Sequence, residues 1–200
     1  YLGSEAGTAL VHVLTGEVNP SGKLPVTFAR RLEDYPSMQY GTDGYPGTDK
    51  QVYYKEGIFV GYRWFDQHPK SVVFPFGYGL SYTTFNYGEP SVTPTADGWD
   101  ITTSITNTGN RAGSETVQLY VGRKGKSTVA RPTKELKDFA KVALAPGESK
   151  TVRLHIRHDD LGYWDEAQHA WGVEDGHYTA FVCASATDVR GTVRFQYPTP

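Results

Sequence analysis

The densest set of chemistry-bearing side chains lies between Val52 and Asp66, in the run Val-Tyr-Tyr-Lys-Glu-Gly-Ile-Phe-Val-Gly-Tyr-Arg-Trp-Phe-Asp. Tyr53 and Tyr54 offer flat apolar faces. Glu56 supplies acceptors and Arg63 a planar fork of donors. Aromatic faces stack on sugar rings while charged groups bind hydroxyls, so Tyr53, Tyr54, Glu56 and Arg63 are the candidate substrate-binding residues. The same residues fit a structural role, which is the reading favoured. In it, Glu56 and Arg63 form a buried, hydrogen-bonded pair, because a charge taken out of water needs such a partner.

Other clusters are weaker. Two carboxylates about 5–9.5 Å apart, one with a raised pKa, can cleave a glycosidic bond. The acids of His158-Asp-Asp160 and Asp165-Glu166 fall instead between strand-like runs, where local capping or a solvated loop is expected. Asp43 and Asp49 do not keep the spacing of a 12-residue calcium loop and read as a surface loop. The six histidines have no i, i+4 partner on a helix, and His155 and His158 are expected to face solvent. The single cysteine, Cys183, sits in a strand-like run with no basic neighbour and is expected to be a small packed hydrophobe. Nucleophile-elbow, zinc-protease, phosphate-loop and dinucleotide signatures are missing, as is an N-x-[ST] sequon. No metal or organic cofactor is expected.

The elements that would position these groups fall into three parts. Ala6, Ala9, Leu10, Val13 and Leu14 recur at helical spacing, with Ser4-Glu5 as a start and Gly16 as a stop. Asn19-Pro-Ser-Gly22 has type I turn chemistry, and Leu24–Phe28 reads as a short extended segment. Residues 35–85 are rich in aromatics, Gly and Pro without periodicity, which predicts an irregular segment packed against something else, mostly outside the chain. From residue 86 the pattern becomes two-residue alternation: Trp99, Ile101, Thr103 and Ile105; Val117, Leu119 and Val121; Val152, Leu154 and Ile156; Val193, Phe195 and Tyr197. Thr116, Gln118 and Tyr120, between the second set, should face water. Turn signals at Asn107–Asn110, Ala145–Glu148 and Glu174–Gly176 separate the runs. The fold class is mostly β: an antiparallel sandwich of fibronectin III or immunoglobulin type, preceded by an incomplete α/β remnant and an aromatic-rich linker.

Bulk properties narrow the partners. With 20 basic and 22 acidic side chains and a net charge of -2, the electrostatic footprint of a nucleic-acid binder is missing. No apolar run approaches the roughly 18–20 residues that cross a membrane. The chain opens at Tyr1, without Met or a leader pattern, and is expected to be a cut piece of a longer polypeptide.

Taken together, these segments resemble the C-terminal region of glycoside hydrolase family 3. The matching pieces are Leu14–Phe28, Tyr54–Arg63, Phe74–Phe85, Ile105–Gly109, Glu115–Val121 and Glu135–Phe139, in the family's order over nearly the whole chain. The resemblance implies a parent with a (β/α)₈ barrel, an α/β sandwich and a fibronectin III-like domain. Residues 1–34 would then be the end of the second part, 35–85 a segment against the missing domains, and 86–200 the third part. It also implies a retaining enzyme for terminal β-linked sugars, a β-glucosidase or alternatively a β-xylosidase, acting on β-linked oligosaccharides or glycosides. The family's nucleophilic Asp and acid/base Glu lie upstream of the Asn19 motif, so no catalytic residue is carried over and this chain alone is expected to be inactive. The competing reading is a free-standing fibronectin-type module that binds glycan or protein. Residues 1–85 argue against it, since such a module has no use for them.

Overall fold

The computed structural model describes residues 3–198; Tyr1, the expected cut point, lies outside them. Helix α1 (Ala6–Leu14) forms where the Ala, Leu and Val spacing places it, and Gly16, at φ +76°, ends it in the left-handed region open to glycine. Glu5 makes no side-chain cap and instead accepts a bond from Thr8 Oγ1 at 3.1 Å. No residue of α1 is buried, and Leu10, Val11 and Leu14 are all exposed. The expected Asn19–Gly22 turn is not formed by a backbone bond. Asn19 is spent across the chain: Nδ2 donates to Ala112 O at 2.8 Å, while Oδ1 accepts from Tyr82 N and Ser81 Oγ.

Residues 28–74 contain little regular structure. Strand β1 (Phe28–Ala29) pairs antiparallel with β2 (Val72–Phe74), and between them lie 3-10 turns and the single-turn helix α2 (Tyr62–Phe65). The aperiodic sequence gives no ladder, so side chains anchor the segment. Trp64 Nε1 donates to Asp34 O at 3.2 Å, and Tyr35 packs edge-on against Phe65.

The alternating sequence produces two antiparallel sheets. In one, β5 (Gly98–Asn107) carries β8 (Ser149–Arg157) along one side; β3 (Phe85–Tyr87) and β4 (Ser91–Pro94) lie end to end along the other. The second sheet has the order β12 (Val189–Tyr197), β11 (Gly176–Cys183), β6 (Gly113–Arg123), β7 (Glu135–Leu144). A small hairpin of β9 (Tyr163–Asp165) and β10 (Ala170–Gly172) interrupts the crossing from β8 to β11. Trp99, Ile101 and Ile105 of β5, Val117, Leu119 and Val121 of β6, Val152, Leu154 and Ile156 of β8, and Tyr178, Ala180 and Val182 of β11 meet between the sheets. This is the inward face that the alternation predicts.

The outer face of β6 departs from expectation. Gln118 and Tyr120 are buried rather than solvated, because residues 62–77 lie over them. Tyr62 and Phe76 pack on Tyr120, Cys183 and Ala186 in a second apolar cluster. Gln118 Nε2 donates to Gly77 O at 3.1 Å and Ala184 O at 2.9 Å, and its Oε1 accepts from Tyr120 OH at 2.7 Å. The irregular segment thus finds much of its packing surface within this chain. Gly77 sits at φ +77°, and a Cβ there would meet Gln118 Oε1 at 2.2 Å. Gly77→Ala combines left-handed strain of about 1–2 kcal/mol with loss of the Gln118 bonds. A total cost of about 2–4 kcal/mol is expected in urea unfolding monitored by tryptophan fluorescence.

Candidate functional site

The candidate residues Tyr53, Tyr54, Glu56 and Arg63 divide into two groups in the structure. Tyr53 and Tyr54 are on an open surface, with Tyr54 81% exposed, beside an ion pair of Lys55 and Asp43 at 2.6 Å. Tyr53 OH donates to Gln51 Oε1. Asp43 and Asp49 share a shallow cleft with Thr48, Gln51, Tyr53 and Lys55. The hydrogen bond from Lys55 holds the Asp43 carboxyl below its usual range.

Glu56 is buried and Arg63 is not its partner. The pair expected from the sequence is replaced by Arg63 Nη2 to Glu135 Oε1 at 2.9 Å. The reason is local: α2 and the Asp66 that caps its end present Tyr62, Arg63 and Asp66 to the start of β7. Leu136 N donates to Tyr62 OH at 2.9 Å, and Lys134 Nζ reaches both Asp66 oxygens at 2.7 Å. The cluster with the most chemical promise is therefore in large part a clamp between the irregular segment and the sandwich.

The acids behave as caps and ion-pair partners. Asp160 accepts from Arg157 N at 2.8 Å and from its guanidinium at 2.9 Å. Asp165 Oδ1 accepts from Ala167 N and Gln168 N. Glu174 accepts from Ser127 Oγ, Thr128 N and Thr128 Oγ1 at 2.6–2.7 Å and from Arg131 Nε at 3.0 Å. Burial opposes its ionisation, but the bonds from Ser127 and Thr128 outweigh it and hold the carboxyl at about 2. A glycosidic general acid needs a raised pKa. Among the described residues, burial pushes the Asp66 carboxyl upward, and that group is closed under Lys134 rather than facing a cleft.

His155 and His158 are half-buried, not exposed as expected. His155 Nδ1 lies 2.8 Å from Asp100 Oδ1, and His158 packs against the rings of Trp99 and Tyr197. Cys183 is fully buried, and burial pushes its thiol up to about 12, which leaves it inert. Sequence reasoning missed the β9–β10 hairpin, where Trp164 and Trp171 stand opposite each other and largely in the open. Its strands are too short for periodicity; two tryptophans on either side of a polar tip were the available signal.

A family model described as the glycosyl hydrolase family 3 C-terminal domain matches residues 1–62, and one described as a fibronectin type III-like domain matches residues 115–186. Beta-glucosidase BoGH3A of Bacteroides ovatus is 48% identical over 201 residues, covering 98% of this chain and 27% of that protein. An exo-alpha-(1->6)-L-arabinopyranosidase of Bifidobacterium breve is 44% identical, covering 96% and 25%. Among solved structures, DesR, a beta-glucosidase of Streptomyces venezuelae in complex with D-glucose, superposes with a TM-score of 0.90 at 39% identity, covering 96% of this chain and 24% of that one. The chain spans about a quarter of the length of the curated relatives it matches. No helix among the described residues is long and apolar enough to cross a membrane. With the family 3 model over residues 1–62, the fibronectin type III-like model after it and a 48% identical relative aligned over 98% of the chain, the chain belongs to glycosyl hydrolase family 3, of which it carries the C-terminal region.

Proposed function

We propose that the chain is the scaffolding C-terminal part of a retaining β-glucosidase whose nucleophile and acid/base carboxylates come from polypeptide outside it. The observation carrying this reading is the coverage: 98% of this chain aligns with 27% of a β-glucosidase. The chemistry agrees, since the displaced carboxyl groups are either held low by donors or closed under Lys134. Tyr53 and Tyr54 are proposed to supply an exposed rim to the substrate site, and Glu56 and Arg63, the latter paired with Glu135, to hold the same segment in place. The division into 1–34, 35–85 and 86–200 remains our proposal for the domain organisation, with the middle part clamped to the third through Gln118 and Lys134. The second reading is another terminal sugar: xylose, as the family resemblance allows, or arabinopyranose, as in the name of the arabinopyranosidase relative.

Two assays test this. The purified chain is expected to give no turnover of an aryl β-D-glucoside, and measurable turnover by it overturns the assignment of the carboxylates elsewhere. In its native polypeptide, the chain is expected to accompany faster turnover of the aryl β-glucoside than of the β-xyloside or α-L-arabinopyranoside. A reversed order overturns the choice of glucose.

A further inference from the structure

The β9–β10 hairpin is built in a way the sandwich does not require. Trp164 and Trp171 are direct cross-strand neighbours, with ring centroids 5.8 Å apart at 74°, and are 47% and 73% exposed. Apolar rings of this size normally go inside; exposed together, they mark a binding surface. Beside them opens a cleft of about 480 Å³ between Thr128-Val129 and residues 163–167. Tyr163 and Trp164 give it aromatic walls, and Asp165 and Glu166 give it a polar rim.

The cleft is held in shape. A two-stranded hairpin is marginal alone, but Arg131 stacks over the Tyr163 ring at 5.1 Å and donates to Leu161 O at 3.1 Å and Glu174 at 3.0 Å. Ser127 and Thr128, bonded to the same Glu174, fix the opposite wall. Polar capacity is left over. Asp165 spends Oδ1 on the hairpin tip, whereas the Glu166 carboxylate and both exposed indole N–H groups make no hydrogen bond among the described residues.

The occupant follows from this chemistry. Carboxylates on the rim oppose nucleic acid and acidic peptides. Flat ring faces next to free acceptors and donors suit a neutral ligand with C–H faces and a fringe of hydroxyls, which is a sugar. Trp171 lies outside the lining of the cleft and, with its ring centroid 5.8 Å from that of Trp164, extends the aromatic surface past it. The register of β8 with β5 brings Arg157 opposite Gly98, so the hairpin leaves the sandwich at the end away from the Arg111–Gly16 contact. We propose that the β9–β10 hairpin and residues 128–129 form a binding cleft for a carbohydrate chain; the choice of β-linked glucose units rests on the function proposed above.

The test is native affinity electrophoresis of the purified protein through gels containing soluble mixed-linkage β-glucan or, in parallel, glycogen. Retardation by β-glucan alone is expected. Trp171→Ala should weaken it about tenfold or more, and Trp171→Tyr, which keeps a ring, should retain most of it. Thermal unfolding of both variants should match the parent, since the ring is mostly in water. Absence of retardation, equal retardation by glycogen, or unchanged retardation of Trp171→Ala overturns the proposal. Binding is read without turnover, so a failure to hydrolyse aryl glucosides leaves it intact and counts only against the proposed enzymatic role.

Discussion

Lys134→Met is expected to destabilise the protein by about 3–5 kcal/mol at pH 7, the range for removing one partner of a buried ion pair. The pair is among the most enclosed in the chain: the Lys134 and Asp66 side chains are 9% and 5% exposed, with Nζ 2.7 Å from both carboxylate oxygens. Methionine keeps the length of the stem but not the ammonium, which also lies over the Tyr120 ring at 5.6 Å, so the loss falls on the charge. Asp66 is then left buried without its counter-ion. Its carboxyl is already raised from the ordinary 3.8 by burial, against the hydrogen bond and charge of Lys134. Without them it rises further.

The pH dependence follows in sign. A folded-state pKa above the unfolded one means that the folded form holds the proton more tightly, so stability is greatest below 3.8 and is lost as pH rises through the folded value. The deficit of Lys134→Met relative to the parent should therefore be small near pH 4 and full at pH 7. Urea unfolding at the two pH values measures it. A deficit that does not change with pH would mean that Asp66 finds another partner in the variant. The pair joins the end of α2 to the start of β7, so the same variant tests whether residues 62–77 are part of the sandwich's cooperative unit.

The sandwich core could be read from the sequence because its physics is local. A strand with one face inward must repeat every two residues, and Trp99, Ile101 and Ile105 do so regardless of which strand lies beside them. Gln118 and Tyr120 could not be read the same way. Their positions and types announce an outward face, and only the three-dimensional path of residues 62–77 turns that face into a second buried layer. The candidate site was half legible for the same reason. Composition located the aromatic and charged run at 52–66, but Arg63 pairs with Glu135 and Asp66 with Lys134, partners far along the chain that no spacing rule connects. Asn19 misled in the same direction. Its neighbours Pro20 and Gly22 are turn residues, yet the amide was worth more bridging Ala112, Ser81 and Tyr82 than closing a local turn.

Asn107→Asp, a change of one nitrogen to oxygen, is expected to cost about as much as the loss of the buried ion pair. Asn107 is fully buried, and each polar atom of its amide is used twice. Oδ1 accepts from Thr83 Oγ1 at 2.6 Å and Gly109 N at 3.1 Å; Nδ2 donates to Arg111 O at 2.7 Å and Leu144 O at 3.1 Å. A carboxylate in this place sets an anionic oxygen against two carbonyl oxygens and, if it takes a proton, can donate to only one. With one or two buried acceptors unpaired at about 1–3 kcal/mol each, the expected loss is about 3–5 kcal/mol at pH 7. The introduced carboxyl has a raised folded pKa, so its penalty should ease as pH falls toward 4. Asn107→Ala should be destabilised without that slope, because it leaves the same carbonyls unpaired but brings no titrating group. The damage should also spread in a definite direction. Arg111 and Ala112, on the loop that Asn107 ties down, carry the contacts to Gly16 O and Asn19. Asn19 in turn accepts from Tyr82 N. In hydrogen exchange of Asn107→Asp, the Tyr82 amide is expected to lose protection well before that of Ile101 in the core. Equal loss at both would mean that the loop is not the link between the sandwich and residues 3–22.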